Sequence, residues 1–170
     1  MSVTAPLGFR AAGVAAGLKP SGARDVAVVV NDGPSRAAAG VFTANRVKAA
    51  PVLWTQQVVH GGRVRAVLLN SGGANACTGP QGFTDTHTSA ERLAAALDDS
   101  AGEMAICSTG LIGERLPMER LLAGADAAVA ERRAESSCSG GTSASVVSTQ
   151  SMVASPGASM AAPLAMPPIV

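Results

Sequence analysis

A layered, mixed α/β fold is predicted by three features of the sequence. Short runs rich in valine and alanine, each of strand length, alternate with three longer stretches whose apolar residues recur at helical spacing. Turns bearing glycine and proline separate these runs. At least one connection between strands is short enough to demand antiparallel pairing. Strands interleaved with amphipathic helices bury one face of a sheet under a helical layer.

Taken in order, Val3 to Gly22 mixes Gly, Ala and Pro with a few apolar residues and leaves room for one short strand among turn signals at Gly8-Phe9 and Lys19-Pro20-Ser21-Gly22. Asp25 to Val30 places valine at four of five successive positions and reads as a buried strand. It ends at Asn31-Asp32-Gly33-Pro34, after which Ala38 to Thr43 reads as a second strand, antiparallel to the first. Lys48-Ala49-Ala50-Pro51 enters a helix, since proline suits a first turn, and Ala50, Leu53, Trp54 and Val58 then share a face up to Gly61-Gly62. Arg65 to Leu69 is a further strand leading into the glycine-rich stretch Asn70 to Gly82. Thr84 is placed to cap a helix carrying Ala90, Leu93, Ala94 and Leu97 on one stripe, closed by Asp98 to Gly102. Met104 to Cys107 is a short buried strand, and Ser108, Thr109 and Gly110 form a polar turn after it. Pro117 starts the last helix, whose Met118, Leu121, Leu122, Ala125 and Val129 are core residues.

With 170 residues, the chain suits one domain with a real core. A net charge of +1 with 15% charged residues points away from nucleic acid, anionic membranes and strongly charged substrates. Three Phe, one Trp and no Tyr offer no stacking platform for single strands. Cys77, Cys107 and Cys138 are odd in number and widely spaced, which argues against a disulfide framework or a zinc site. MSVTAPLGFRAAG lacks the pattern of a signal peptide and no run approaches the length of a membrane span, so a cytoplasmic location is expected. Neither a metal nor a cofactor is expected.

Beyond Glu135 the composition changes. Ser136 to Val170 contains no Asp, Glu, Lys, Arg or His and is dominated by Ser, Ala, Pro, Met and Gly. Residues 1–135 are therefore read as the folded part, and 136–170 as a low-complexity tail, expected to be disordered or to arise from a shifted reading frame.

Chemistry concentrates in two stretches. Asn70 to Gly82 follows a strand and precedes a helix, yet it has neither dinucleotide nor P-loop spacing and no lysine. Its Asn70, Ser71, Asn75 and Thr78 either line a site or satisfy their own backbone. Met104 to Arg115 holds Ser108-Thr109-Gly110, where a close-approaching glycine, a threonine hydroxyl and backbone amides at a strand end suit an oxyanion in acyl transfer. On the residues alone such a tripeptide is more often a bare strand-to-helix turn. Cys107 at a strand end raises a third reading, a small hydrolase with a cysteine nucleophile. Its spacing to Arg115 is C-x7-R, not the C-x5-R of thiol phosphatases, which favours a buried structural cysteine. His60 and His87 stand in no triad or metal pattern, with His87 expected on a helix surface. Ser71 and Ser108 lack a G-x-S-x-G elbow. No complete pair of nucleophile and base is present.

Four blocks, GFRAAGVAAGLKPSGARDVAVVV, AAGVFTANRVKAAPVLWTQQ, RAVLLNSGGANACTGPQGFTDT and CSTGLIGERLPMERLL, together resemble the N-terminal portion of the bifunctional ornithine acetyltransferase family, in its order and separations, over Pro6 to Arg132. The resemblance implies a layered mixed α/β fold of the ornithine acetyltransferase (DmpA/ArgJ-like) type, incomplete here. It implies a precursor that cleaves itself into an α and a β chain, the β chain beginning with a nucleophilic threonine. That threonine moves acetyl from N-acetylornithine to glutamate in arginine biosynthesis, and some members also take acetyl-CoA as donor. The family's oxyanion hole maps onto Thr109 and Gly110, which reverses the preference for a bare turn. Two α and two β chains form the family's usual heterotetramer.

The departures matter equally. After the Pro117 helix the family carries a Thr-Thr-Asp motif, an Ala-Lys-Gly motif and the threonine at the cleavage point, and the tail stands where these would be. The substrate-contacting residues and the nucleophile are thus expected outside this sequence. Two outcomes follow: a chain contributing Thr109 and Gly110 to a site completed by another polypeptide, or a catalytically inert fragment or assembly module.

Overall fold

The computed structural model describes residues 3–131, 133–134 and 145–148. Phe9–Val14 (β1) and Val26–Asn31 (β2) form an antiparallel pair, with Val14 opposite Val26 and Phe9 opposite Asn31. Ala38–Val41 (β3) and the helix Ala50–His60 (α1) follow, then Ala66–Gly73 (β4), which lies antiparallel on the other edge of β2. The helix Gly79–Leu97 (α2) and a 3-10 turn at Ala101–Glu103 lead to Met104–Leu111 (β5), which pairs parallel with β4. A parallel pair requires such a crossover. Met118–Glu131 (α3), Arg133–Ala134 (β6) and Ser145–Ser148 (β7) complete the described elements. The main sheet runs β5-β4-β2-β1-β6, and β3 pairs with β7.

The layering is visible in burial. Val26, Val28, Val30, Ala66, Leu68, Met104 and Ile106 are buried at alternating positions of β2, β4 and β5, and pack with Trp54, Val58, Leu93, Leu121, Ala125 and Val129 of the helices. α2 touches both α1 and α3, so the three helices form one layer. Of the positions in between, Ala27, Val29, Leu69 and Cys107 are half-buried, whereas Val67 and Ala105 are buried as well.

Several expectations are corrected. β3 does not pair with β2, because both edges of β2 are taken, by β1 and by β4. The chain instead turns aside to bond with residues 62–64: the Ala38 amide donates to the Gly62 carbonyl and the Val64 amide to the Arg36 carbonyl. Thr84 does not cap α2. The helix starts at Gly79 after Thr78, leaving Thr84 in its second turn with its hydroxyl donating back to the Pro80 carbonyl. The Ser108–Gly110 turn is not a turn but the end of β5, and Asn70–Gly73 are the end of β4. Two polar, glycine-bearing segments are extended because they pair with each other. Ser145–Ser148 runs as a strand in a segment that shows no strand period, and the rest of 136–170, on which the expectation of disorder falls, lies outside the described residues.

The exposed edge of β5 is closed by a helix. Trp54 donates its indole N–H to the Met104 carbonyl at 2.8 Å, while the Thr55 hydroxyl donates to the Ile106 carbonyl and accepts from the Ile106 amide. An edge strand left open would template aggregation, and α1 removes that hazard. Thr55 is fully buried, so Thr55→Val keeps its volume but leaves two backbone groups unpaired. A loss of about 1–3 kcal/mol is expected in urea denaturation, and an unchanged midpoint would contradict it.

At the opposite end of the sheet, four arginines and three carboxylates alternate in a chain of ion pairs: Arg10–Asp32–Arg65–Asp99–Arg36–Glu103–Arg63. Burial would raise these carboxyls, but the guanidinium groups, helped at Asp99 by the Ser100 amide, hold Asp32, Asp99 and Glu103 below their ordinary values. Lowered folded values mean that the stabilisation is present above the unfolded carboxylate range near pH 4 and disappears as pH falls through the folded values. Thermal melts should therefore show the melting temperature dropping from about pH 5 downward, and a flat profile to about pH 2.5 would refute this.

Candidate functional site

The site is built where β4 and β5 end side by side. Their parallel register sets Asn70 against Ser108, Ser71 against Thr109 and Gly72 against Gly110. Gly110 has φ +133°, and a Cβ there would lie 2.5 Å from the Gly72 carbonyl carbon. No side chain fits at this approach. Gly72, at φ +116°, is pressed from the other side by the Leu18 carbonyl, 2.9 Å from where its Cβ would be. Three backbone segments thus meet at van der Waals distance: the 15–24 loop, β4 and β5.

Asp25 holds the first of these. Its carboxylate accepts from the amides of Ala16 and Leu18 at 2.6 Å and of Lys19 at 3.0 Å, and its own carbonyl accepts from the Ser71 amide at 2.8 Å. Asp25 is buried. Burial would raise its carboxyl, but the three amides keep it below the ordinary value, so it remains an anion cradled by the loop.

Two further ties hold the chain just past β5. Arg115 makes a two-pronged ion pair with the buried carboxylate of Asp85 in α2, at 2.7 and 2.9 Å, and the Gly113 amide donates to the Ala76 carbonyl. Arg115 is therefore a strut for this loop and not a phosphate ligand for Cys107. Asn75, fully buried, donates to the Gly82 carbonyl and the Thr86 hydroxyl and accepts from Thr78. Of the residues weighed in the 70–82 stretch, Asn75 and Thr78 satisfy local structure, whereas Asn70 and Ser71 lie on β4 opposite Ser108 and Thr109.

Thr109 and Gly110 are exposed. Met104 and Ile106 turn their backbone groups toward α1, and the period of two in a strand carries those of Ser108 and Gly110 to the same outer edge. The Gly110 amide and the neighbouring Thr109 hydroxyl are thus two hydrogen-bond donors carried by exposed residues at a strand end, groups of the kind that can stabilise negative charge. The Ser108 hydroxyl is not available as a nucleophile, because it donates to Asn70 Oδ1 at 2.6 Å in a buried setting.

Cys107 is partly buried, and burial pushes its thiol up, opposite to what a nucleophile needs. His60 ends α1 and is exposed, whereas His87 sits on α2 with its ring edge against Trp54, centroids 4.9 Å apart. Neither histidine hydrogen-bonds to Cys107 or Ser108. Among the described residues, no group of three His, Cys, Asp or Glu side chains could hold a metal ion, and no helix is long and apolar enough to cross a membrane. The glycine contacts at 72 and 110 and the anchors Asp25 and Asp85 had no signature in the linear sequence beyond the two glycine-bearing tracts.

The sequence model of the ArgJ family matches residues 10–161. The arginine biosynthesis bifunctional protein ArgJ of Thermobifida fusca is 75% identical over 131 residues, which are 77% of this chain and 34% of that protein. Its Mycobacterium tuberculosis counterpart is 72% identical over 127 residues, 72% of this chain and 31% of that protein. The chain thus spans about a third of the length of these relatives. The crystal structure of ornithine acetyltransferase complexed with ornithine from M. tuberculosis superposes with a TM-score of 0.77 at 67% identity, covering 78% of this chain and 72% of that one. The ArgJ structure from Bacillus halodurans gives 0.70 at 38% identity, over 74% and 65% of the two chains.

The two described cysteines provide a test of the thiol reading. Cys77 is exposed and Cys107 is not. Limited alkylation with iodoacetamide near pH 8, followed by peptide mapping, should label Cys77 well before Cys107, and faster labelling of Cys107 would restore it as a nucleophile.

Proposed function

This chain belongs to the ArgJ family, and from that premise we propose that it supplies the oxyanion hole for acetyl transfer from N-acetylornithine to glutamate in arginine biosynthesis. What supports the reading is that Thr109 and Gly110 are both exposed, at a strand end whose close approach to Gly72 only glycine allows. In this reading the first residue of a second chain is a threonine, whose hydroxyl attacks the acetyl carbonyl while its own α-amine takes the proton. The carbonyl oxygen gains negative charge and lies against Thr109 and Gly110. Collapse of that intermediate breaks the amide bond, the proton passes to the departing ornithine amine, and an acetyl-threonine ester remains. The amine of glutamate then attacks the ester through a second intermediate at the same donors, the C–O bond breaks and the amine's proton passes by way of the α-amine to the threonine oxygen, giving N-acetylglutamate and the restored threonine hydroxyl. Acetyl-CoA enters the same site as an alternative donor in the members that use it.

The nucleophile and the substrate-contacting motifs lie outside residues 1–135, so the chain alone transfers no acetyl group and acts in an assembly of two α and two β chains in the cytoplasm. Cleavage of a precursor is supported by the shares of the M. tuberculosis proteins: nearly the same stretch fills 72% of the crystallised chain but 31% of the full-length relative. The crystallised chain is less than half of the whole polypeptide.

Formation of N-acetylglutamate from N-acetylornithine and glutamate tests this. The purified chain should give none, and co-expression with the threonine-initiated chain of the T. fusca relative should give turnover. In that complex Thr109→Ala should lower kcat by about 100-fold. Turnover by the chain alone, or full activity in the Thr109→Ala complex, would overturn the reading.

A further inference from the structure

One buried polar pair in the sheet is not explained by packing. Ala66, Leu68, Met104 and Ile106 line the helix-facing side of β4 and β5, and the next position on each strand is Asn70 and Ser108, directly opposite one another and 4% and 8% exposed. Apolar residues at these positions would close the end of the core without desolvating an amide and a hydroxyl. The pair instead makes a directed relay. The Ser108 hydroxyl donates to Asn70 Oδ1 at 2.6 Å, and Asn70 Nδ2 donates to the Gly73 carbonyl at 3.1 Å, three residues along its own strand. Gly73 is where the regular register breaks, since it pairs with both Thr109 and Leu111. The Ala74 amide then donates to the Leu111 carbonyl, closing the irregularity on the far side.

A bulge of this kind bends a strand and re-aims what lies beside it. What lies beside it is Gly110, packed on Gly72 with no room for movement toward β4. The side chain of Asn70 therefore bridges the residue before Thr109 to the carbonyl that shapes the bulge.

Resting on the oxyanion reading above, we propose that Asn70 is a positioning residue of the acetyl transfer, with Ser108 orienting its amide. Its hydrogen bonds fix the bulge at Gly73 and so the direction of the Thr109 hydroxyl and Gly110 amide, without Asn70 touching substrate. Preorganised donors stabilise developing charge only when held in place, so a loosened bulge lowers the rate of chemistry more than it weakens binding.

The test uses the active complex of this chain with the threonine-initiated chain of the T. fusca relative. Asn70→Asp keeps the shape and the bond from Ser108 but cannot donate to the Gly73 carbonyl. It should lower kcat by about tenfold or more while KM for N-acetylornithine stays within about twofold. Ser108→Ala, a milder change that frees the Asn70 amide to rotate, should move kcat in the same direction and by less. If Asn70→Asp fails to assemble, Ser108→Ala carries the test alone. A kcat within about twofold of the parent in the assembled variants, or a loss confined to KM, overturns the proposal. Thr109→Ala, measured alongside, separates the two claims. A low kcat for Thr109→Ala with normal kcat for Asn70→Asp removes the positioning role and leaves the oxyanion hole standing. Normal kcat for Thr109→Ala removes both.

Discussion

The contact on which this molecule turns is the approach of Gly110 to Gly72, two glycines on neighbouring parallel strands brought so close that a single Cβ would stand 2.5 Å from a carbonyl carbon. Side chains normally hold neighbouring structures apart, and removing them lets backbone amides take part in chemistry. Here the close approach is stacked three deep, with the Leu18 carbonyl against Gly72 and Gly72 against Gly110. A disturbance of the 15–24 loop would be transmitted to β5 through rigid contacts and not absorbed by flexible side chains.

Polar groups are distributed around this contact according to their task. Asp25, Asn70, Asn75 and Asp85 are buried near the carboxyl ends of β4 and β5, and each is hydrogen-bonded at its side chain. Buried polar groups satisfied in this way hold a specific geometry where apolar packing would tolerate several. The opposite end of the sheet is tied by partly exposed ion pairs from Arg10 to Arg63, which contribute stability that depends on pH and salt. One end is thus fixed by directed bonds and the other by charge.

The surface beside the donor pair is apolar. Leu111 is 63% and Ile112 45% exposed, directly after Thr109 and Gly110. Two large apolar side chains therefore lie open to solvent directly after two exposed polar positions. The T. fusca relative is about three times as long as the stretch that it shares with this chain.

The residue order alone determined the helices and most strands, because these depend on local chemistry: the valines of β2, proline at the start of α1, the Gly61-Gly62 stop, and the leucine stripe of α3. Thr109 and Gly110 were singled out by the resemblance and by the chemistry of a glycine after a hydroxyl, and the structure sets both, exposed, at the end of β5. Tertiary structure decided what depends on long-range neighbours. β3 left β2 because both edges of β2 were already filled. Ser108–Leu111 became strand, against its turn-like composition, because Asn70–Gly73 lay alongside to pair with it. Asn70, read from the sequence as one hydrogen-bonding residue in a loop, became a buried clamp only when Ser108, 38 residues away, was brought within 2.6 Å. Local composition can state which conformations a segment tolerates, but a hydrogen bond between distant strands exists only once the fold has removed both partners from water.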